Sequence, residues 1–322
     1  MTLAFTFSGG MAVEGPGTGL YEQYPVMRRW IDQVVDWTGI PLERLLCEDF
    51  TAPFYSGDLS GCPDLRLVAE SRQAAYSIGI ADVLADRGIR PSVIGGSSLG
   101  FMIGAALAGA IERPALFDYL RVKTAVPVNP EGQPPQAIAM YVVPLDEGPE
   151  GFVGEWPQIH FACELGKLIG DQTGMYMFSG HLDDIRAFAE AKPAGLISVL
   201  TPLGGAHSPL MRFHQEAVAP YVDEMTFRDP PVPVVSGLSD RILTTADDVR
   251  ADWLRNPVTT TQITHVMSGL ERAGSKLALA LGVASGISMF SFPIPVYPVV
   301  APEDFDVVGG LVYDAGIPLS HG

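Results

Sequence analysis

The run SVIGGSSLGFMIGAALAG, residues 92–109, decides how the chain folds. It opens as a short β-prone segment, Ser92-Val93-Ile94-Gly95, and passes through Gly96-Ser97-Ser98-Leu99-Gly100. It then continues as an apolar stretch that ends near Gly109. A strand, a tight turn and a buried helix in that order are the setting of a G-x-S-x-G nucleophile elbow. Ser98 is the middle residue; Ser97 lacks glycines two places away on both sides. Such a turn holds its central residue in a strained conformation and presses backbone against backbone, which flanking glycines tolerate. It also aims the Ser98 hydroxyl and the Leu99 N–H at the start of the next helix, where an alkoxide or an oxyanion is stabilised. The apolar run Leu99–Ile111 contains three glycines and is about a dozen residues long. It falls short of the roughly 20 residues that cross a bilayer and reads as a buried helix.

Upstream of the elbow, LAFTF (residues 3–7) predicts a first buried strand that stops at Ser8-Gly9-Gly10. Gly15, Pro16, Gly17 and Gly19 keep the following loop open. Apolar spacing predicts a helix over 72–87, ending at Gly88, where a C-terminal glycine belongs. Downstream, the proline-rich segment 126–136 breaks the pattern and reads as a hinge. Beyond it come strands AIAMYVVPL (137–145), IHFACEL (159–165) and MYMFSG (175–180), with a loop at Gly148, Pro149 and Gly151 between the first two. A helix, LDDIRAFAEAK (182–192), and a strand at 196–200 complete a small α+β unit. Gly204-Gly205-Ala206-His207-Ser208-Pro209-Leu210-Met211 follows directly, then a helix through 214–225 and the strand VPVVSGL (232–238). His207 is thereby placed at a strand-to-helix junction, where binding residues of α/β sheets gather.

The chain has 322 residues and 47% apolar content, enough for a large α/β core with a smaller unit attached. Twenty basic residues against 37 acidic ones give a net charge of −17, the wrong sign for a general nucleic-acid or anionic-membrane binder. Cys47, Cys62 and Cys163 are odd in number and far apart, which argues for reduced thiols rather than a disulfide framework or a zinc site. No metal is expected. The N-terminus carries no secretory pattern, so a cytoplasmic protein is expected.

With Ser98 and His207 in place, the sequence resembles the malonyl-CoA:acyl carrier protein transacylases and the acyltransferases of polyketide synthases. The resemblance runs in order along most of the chain. It rests on the N-terminal strand and glycine loop, GSSLG where the family usually has GHSLG, the AHSPLM block, and Asn256-Pro257-Val258. It implies an α/β-hydrolase-like large subdomain with a parallel sheet (1–128 and 201–322) and an inserted ferredoxin-like small subdomain (129–200). It also implies a discrete, trans-acting acyltransferase that works by ping-pong transfer. Ser98 takes an acyl group from coenzyme A or a carrier protein, His207 moves the protons, and a phosphopantetheine thiol of an acyl carrier protein removes the acyl group. It implies no bound cofactor, with the coenzyme A or phosphopantetheine thioester as substrate. The family orients its histidine by a backbone carbonyl, which the resemblance places at Val258 or Thr259. The oxyanion donors fall on Leu99 and Gly10.

Departures from the family pattern concern the substrate. The chain reads Gly9-Gly10-Met11 where the family has GQG, and Phe101 stands where glutamate is common. Lys123 occupies the slot of the arginine that clamps a malonyl carboxylate, with Arg121 nearby, and Glu70 occupies a slot that often holds glutamine. Lysine supplies a point charge without the bidentate fork. Lys123, Arg121, Glu70, Phe101 and Met11 are therefore the candidate substrate contacts, and an acyl group other than malonyl, aminoacyl or larger, is expected. Lys123 equally fits a surface lysine, and Glu70 a helix-starting carboxylate. Met175, Met177 and Phe178 read as core or pocket wall. The histidines His160, His181, His214, His265 and His321 have no partner of fixed spacing and read as structural or solvated. Arg72, Arg212 and Lys167 are the expected basic docking patch for an acidic carrier protein. An editing acyl hydrolase of the same fold shares every one of these motifs.

Overall fold

The computed structural model describes residues 2–145, 148–170, 172–193, 195–282 and 287–319. Its strands in chain order are β1 (Thr2–Phe7), β2 (Val93–Gly96), β3 (Gln136–Pro144), β4 (His160–Leu168), β5 (Thr173–His181) and β6 (Ile197–Leu200). They continue with β7 (Val234–Ser236), β8 (Ile242–Leu243), β9 (Thr261–Gln262), β10 (Ser275–Leu281), β11 (Phe290–Ser291) and β12 (Val296–Val299).

The first sheet has the order β12-β10-β1-β2-β7-β8 and is parallel except for the edge pair β7–β8. Parallel strands are covered by helices on both faces, and their sequences run apolar without alternation. All four residues of β2 are buried accordingly. The helix Leu99–Leu107 packs behind it, with eight of its nine residues buried, as the apolar run requires.

The helix expected over 72–87 runs from Leu65 to Asp86 and is buried on nearly every side. Leu65, Val68 and Ala69 extend its apolar pattern upstream, and Gly88 (φ 75°) follows its end. Because it threads the core, Glu70, Arg72 and Gln73 are buried along with its apolar residues.

The second sheet has the order β11-β4-β5-β3-β6 and is antiparallel along that path, with β9 added parallel to β4. The expected loop at 148–151 is instead the start of a helix, Gly148–Glu155. With the helix Leu182–Glu190, the segment reads β-α-β-β-α-β, and its four strands lie in the ferredoxin-like spatial order β4-β5-β3-β6. Both β9 and β11 join this sheet from beyond residue 200. The sheet has a core of its own, in which Phe178 packs on Phe188. No described helix is long and apolar enough to cross a membrane.

Candidate active site

Ser98 and His207 are the only non-glycine residues with positive φ among the described residues, at 55° and 57°. Strain of this kind persists only where the surroundings impose it. At Ser98 the surroundings are the elbow itself: a Cβ on Gly96 would run into the Gly100 carbonyl, and one on Gly100 into the Phe7 carbonyl. Two glycines thus let strand, turn and helix close on each other and lift Ser98 out of the sheet.

The Ser98 hydroxyl donates to His207 Nε2 at 2.8 Å. On the other side of the ring, Nδ1–H donates to the carbonyls of Asn256 at 2.8 Å and Thr259 at 3.2 Å. These two acceptors fix the tautomer: the proton sits on Nδ1, and Nε2 keeps a lone pair for the serine. The orienting carbonyls therefore belong to Asn256 and Thr259. Val258 does not supply one, because the 3-10 turn Asn256–Val258 aims the first carbonyl at the ring. Asn256 also donates from Nδ2 to the Ser98 carbonyl at 3.2 Å, so one residue braces both halves of the pair. The sequence pointed to the motif but not to this side chain.

His207 is surrounded by protein although part of its ring meets the cavity. Desolvation pushes its pKa down to about 4, against the pull of the two carbonyls, with the Lys123 charge lowering it further. The imidazole is neutral at neutral pH, as a general base must be. Leu99 N–H is the first of its helix and has no intrahelical acceptor. Gly10, at φ 96°, lies on the loop after β1, and both line the same cavity as Ser98.

That cavity has a volume of about 580 Å³ and lies between the helices of the first sheet and the face of the second. Met11, Lys123, Glu70, Met175 and Met177 line it. Lys123 Nζ donates to Glu70 Oε2 at 2.7 Å, with side-chain exposures of 19% and 5%. Neither residue is a surface group or a helix-starting carboxylate; each neutralises the other at the cavity wall.

Three expectations fail on packing. Phe101 is fully buried against Trp253, on the side of its helix away from the cavity. Arg121 points to solvent and pairs with Asp118, because α-helical geometry turns it off the face that carries Lys123. Arg72 is fully buried and donates to five carbonyls, those of Leu45, Ala12, Val13, Arg44 and Glu48, so it cannot dock a partner. It fastens the loop that follows Gly10, and Gln73 Nε2 holds the Ser8 carbonyl at 2.8 Å beside it. Lys167 and Arg212 are exposed.

His214 also lines the cavity, buried, with Nε2–H donated to the Lys123 carbonyl at 3.1 Å. Desolvation first and then the charges of Lys123 and Arg66 push its pKa down to about 4. The four-residue spacing of His214, Val218 and Val222 marks one buried helix face and was the available signal. Arg66 on the cavity wall had none, since it falls in a segment read as preceding the helix. His321 lies outside the described residues. His207 faces a second, more open cavity of about 490 Å³, lined by His160, Phe161, Val258 and Thr260. No group of three or more metal-ligating side chains occurs among the described residues.

No protein-family model matches the chain. The polyketide biosynthesis acyltransferase homolog PksD of Bacillus subtilis is 25% identical over 250 residues, covering 76% of this chain and 74% of that protein. The malonyl CoA-acyl carrier protein transacylase of the same organism is 26% identical over 259 residues, covering 77% and 76%. Among solved structures, an acyl carrier protein S-malonyltransferase from Vibrio cholerae superposes with a TM-score of 0.79 at 17% identity, over 96% of this chain and all of that one. A malonyl-transacylase in complex with its type II polyketide synthase acyl carrier protein gives 0.75 at 16% identity, over 95% and 98%. The relatives and structural neighbours of this chain are thus malonyl-CoA:acyl carrier protein transacylases and polyketide synthase acyltransferases, and its fold is theirs.

Proposed function

We propose that the protein is a discrete cytoplasmic acyltransferase that moves an acyl group through an ester on Ser98 to the phosphopantetheine thiol of an acyl carrier protein, in polyketide biosynthesis. The reading is carried by one observation, the 2.8 Å contact of Ser98 Oγ with the lone pair of a neutral His207 at the wall of a 580 Å³ cavity. Ser98 Oγ attacks the thioester carbonyl while Nε2 takes its proton. The N–H groups of Leu99 and Gly10 receive the oxyanion. Collapse breaks the C–S bond, and Nε2–H protonates the departing thiolate. In the second half the carrier thiol gives its proton to Nε2 and attacks the ester, and the serine leaves with that proton. The carbonyls of Asn256 and Thr259 stabilise the transient imidazolium without a carboxylate. The large unit (1–128 and 201–322) supplies this machinery, and the small unit (129–200) supplies the facing wall. The thiol arm enters along the second cavity beside His207, from a carrier docked near Lys167 and Arg212.

An acyl group other than malonyl is favoured by the Lys123–Glu70 pair, which leaves no unpaired cation in the slot that would clamp a carboxylate. The cavity volume and its seven lining methionines, adaptable thioethers, suit a larger unit, aminoacyl or longer. Intact-protein mass spectrometry after incubation with acyl carrier protein thioesters tests the reading. The expected result is an acyl adduct on the wild type that is absent in Ser98→Ala and passes to a second carrier. Rapid release as free acid would favour the editing hydrolase, and no adduct with any thioester would refute acyl transfer altogether.

A further inference from the structure

The cavity is lined by every strand of the second sheet in turn: Phe290 of β11, Cys163 of β4, Met177 of β5, Met140 of β3 and Leu200 of β6. Cys163, Met177 and Met140 are direct cross-strand partners, so they form one row on one face. A cavity that follows such a row is a channel across the sheet. Ser98 sits toward the β4 side, because β9 pairs with β4 through Thr261 and Cys163, and Ser97 and Thr261 both pack on Gly237, while His207 follows Ala206, whose carbonyl is held by Ser179 of β5. From β4 to β6 there are three interstrand steps, about 14 Å at 4.7–4.9 Å each. At the β6 end the wall passes to Tyr55, 61% exposed, and to Arg66, which holds the Val126 carbonyl two residues before Val128, itself packed on Gly204 beside Thr201. The helix end at Gly57 abuts Thr201 just beyond β6, which places that rim at the sheet edge.

Arg66 differs from the other cation of the channel. Lys123 is matched by Glu70, whereas Arg66 donates to the Val126 carbonyl at 3.1 Å and meets no carboxylate among the described residues. Its remaining guanidinium donors can be satisfied by an oxygen acceptor on whatever lies in the channel.

We propose that the acyl group is elongated, reaching from Ser98 across β5 and β3 to the β6 edge, and that its far end carries a carbonyl or carboxylate oxygen read by Arg66. The inference rests on the acyl-transfer reading. About 14 Å corresponds to roughly four extended residues, far beyond a malonyl unit. The row of thioethers accepts an apolar or mixed chain, and the guanidinium selects its terminus.

Acylation of Ser98 by pantetheine thioesters of acetyl, malonyl, octanoyl, an eight-carbon ω-amide and an eight-carbon ω-carboxylate, timed by mass spectrometry, tests this. Octanoyl is expected to react at least tenfold faster than acetyl or malonyl, and the two oxygen-terminated chains faster still. Arg66→Gln should abolish that last advantage, and whether it costs the carboxylate more than the amide separates the two termini. Leu200→Trp should lower the octanoyl-to-acetyl ratio at least tenfold; Leu203→Phe serves the same readout if the first variant does not fold. Equal rates for all lengths, or a Leu200→Trp loss shared equally by acetyl and octanoyl, would overturn the channel. An unchanged terminal preference in Arg66→Gln would overturn the role of Arg66. Absence of any adduct would instead sink acyl transfer itself.

Discussion

Replacing Glu70 by Gln and Lys123 by Met, singly and together, asks what a buried ion pair does at the wall of a substrate cavity. At 2.7 Å and an effective dielectric near 20, the gross attraction is about 6 kcal/mol. Desolvation of both groups offsets much of it, so the pair as a whole is close to neutral against apolar replacements. Breaking it is different, since the group left behind stays charged and buried, at a typical cost of about 3–5 kcal/mol. The two singles should be unequal. Glu70, 5% exposed, meets little of the cavity water, so Lys123→Met should cost about 4 kcal/mol. Lys123, 19% exposed, can turn into the cavity, so Glu70→Gln should cost about half as much. The double variant should cost less than the sum by at least about 2 kcal/mol. Urea unfolding of the four proteins measures that coupling. Glu70→Gln carries a second readout, because it frees a cation where a carboxylate would sit: malonyl labelling of Ser98 should rise at least about tenfold relative to octanoyl, the effect of 1.4 kcal/mol. Additivity within about 0.5 kcal/mol together with an unchanged malonyl preference would refute the reasoning.

Two further perturbations follow from buried groups. His207 and His214 both have pKa values pushed from 6.5 down to about 4, so between these limits the unfolded chain binds protons that the folded chain does not. The contribution of these two groups should therefore be fully present above pH 6.5 and be lost as the pH drops from 6.5 toward 4, by on the order of 3 kcal/mol per histidine at full extent. Single-turnover acylation should keep its acid limb near pH 4; a limb at 6–7 would mean that the imidazole is not desolvated. Arg72→Met leaves five carbonyls without their donor, and at about 1 kcal/mol each the loss should exceed 3 kcal/mol and lower the melting temperature by several degrees. Acylation should slow as well, since the loop carrying Gly10 is released, and Arg72→Lys should recover part of both; a melting point unmoved by Arg72→Met would remove the strap from consideration.

The elbow was legible because its constraints are local. A strand, two glycines, a serine and an apolar helix lie within 18 consecutive residues, and a strained turn admits few other sequences. The β-α-β-β-α-β segment was legible in its strands, whose apolar content is a local property. Its first helix was not, because Gly148, Pro149 and Gly151 carry turn propensity that the tertiary structure overrides. Local pattern also located His207, through its block and the strand before it. The same pattern misplaced Phe101 and Arg121, since sequence gives proximity to the elbow but not the direction a helix face points.

What the sequence alone determined is therefore local: a serine hydroxyl on a sharp turn and an imidazole at a strand-to-helix junction 109 positions away. What only the tertiary structure decided is everything made by elements meeting face to face. The bracing of Ser98 and His207 by Asn256, the neutralisation of Lys123 by Glu70, the burial of Arg72, and the meeting of Ser98 and Arg66 on one cavity wall join residues up to 158 positions apart, or depend on which helix face is inward. Such contacts obey packing and solvation, which act through space, and no periodicity along the chain encodes them.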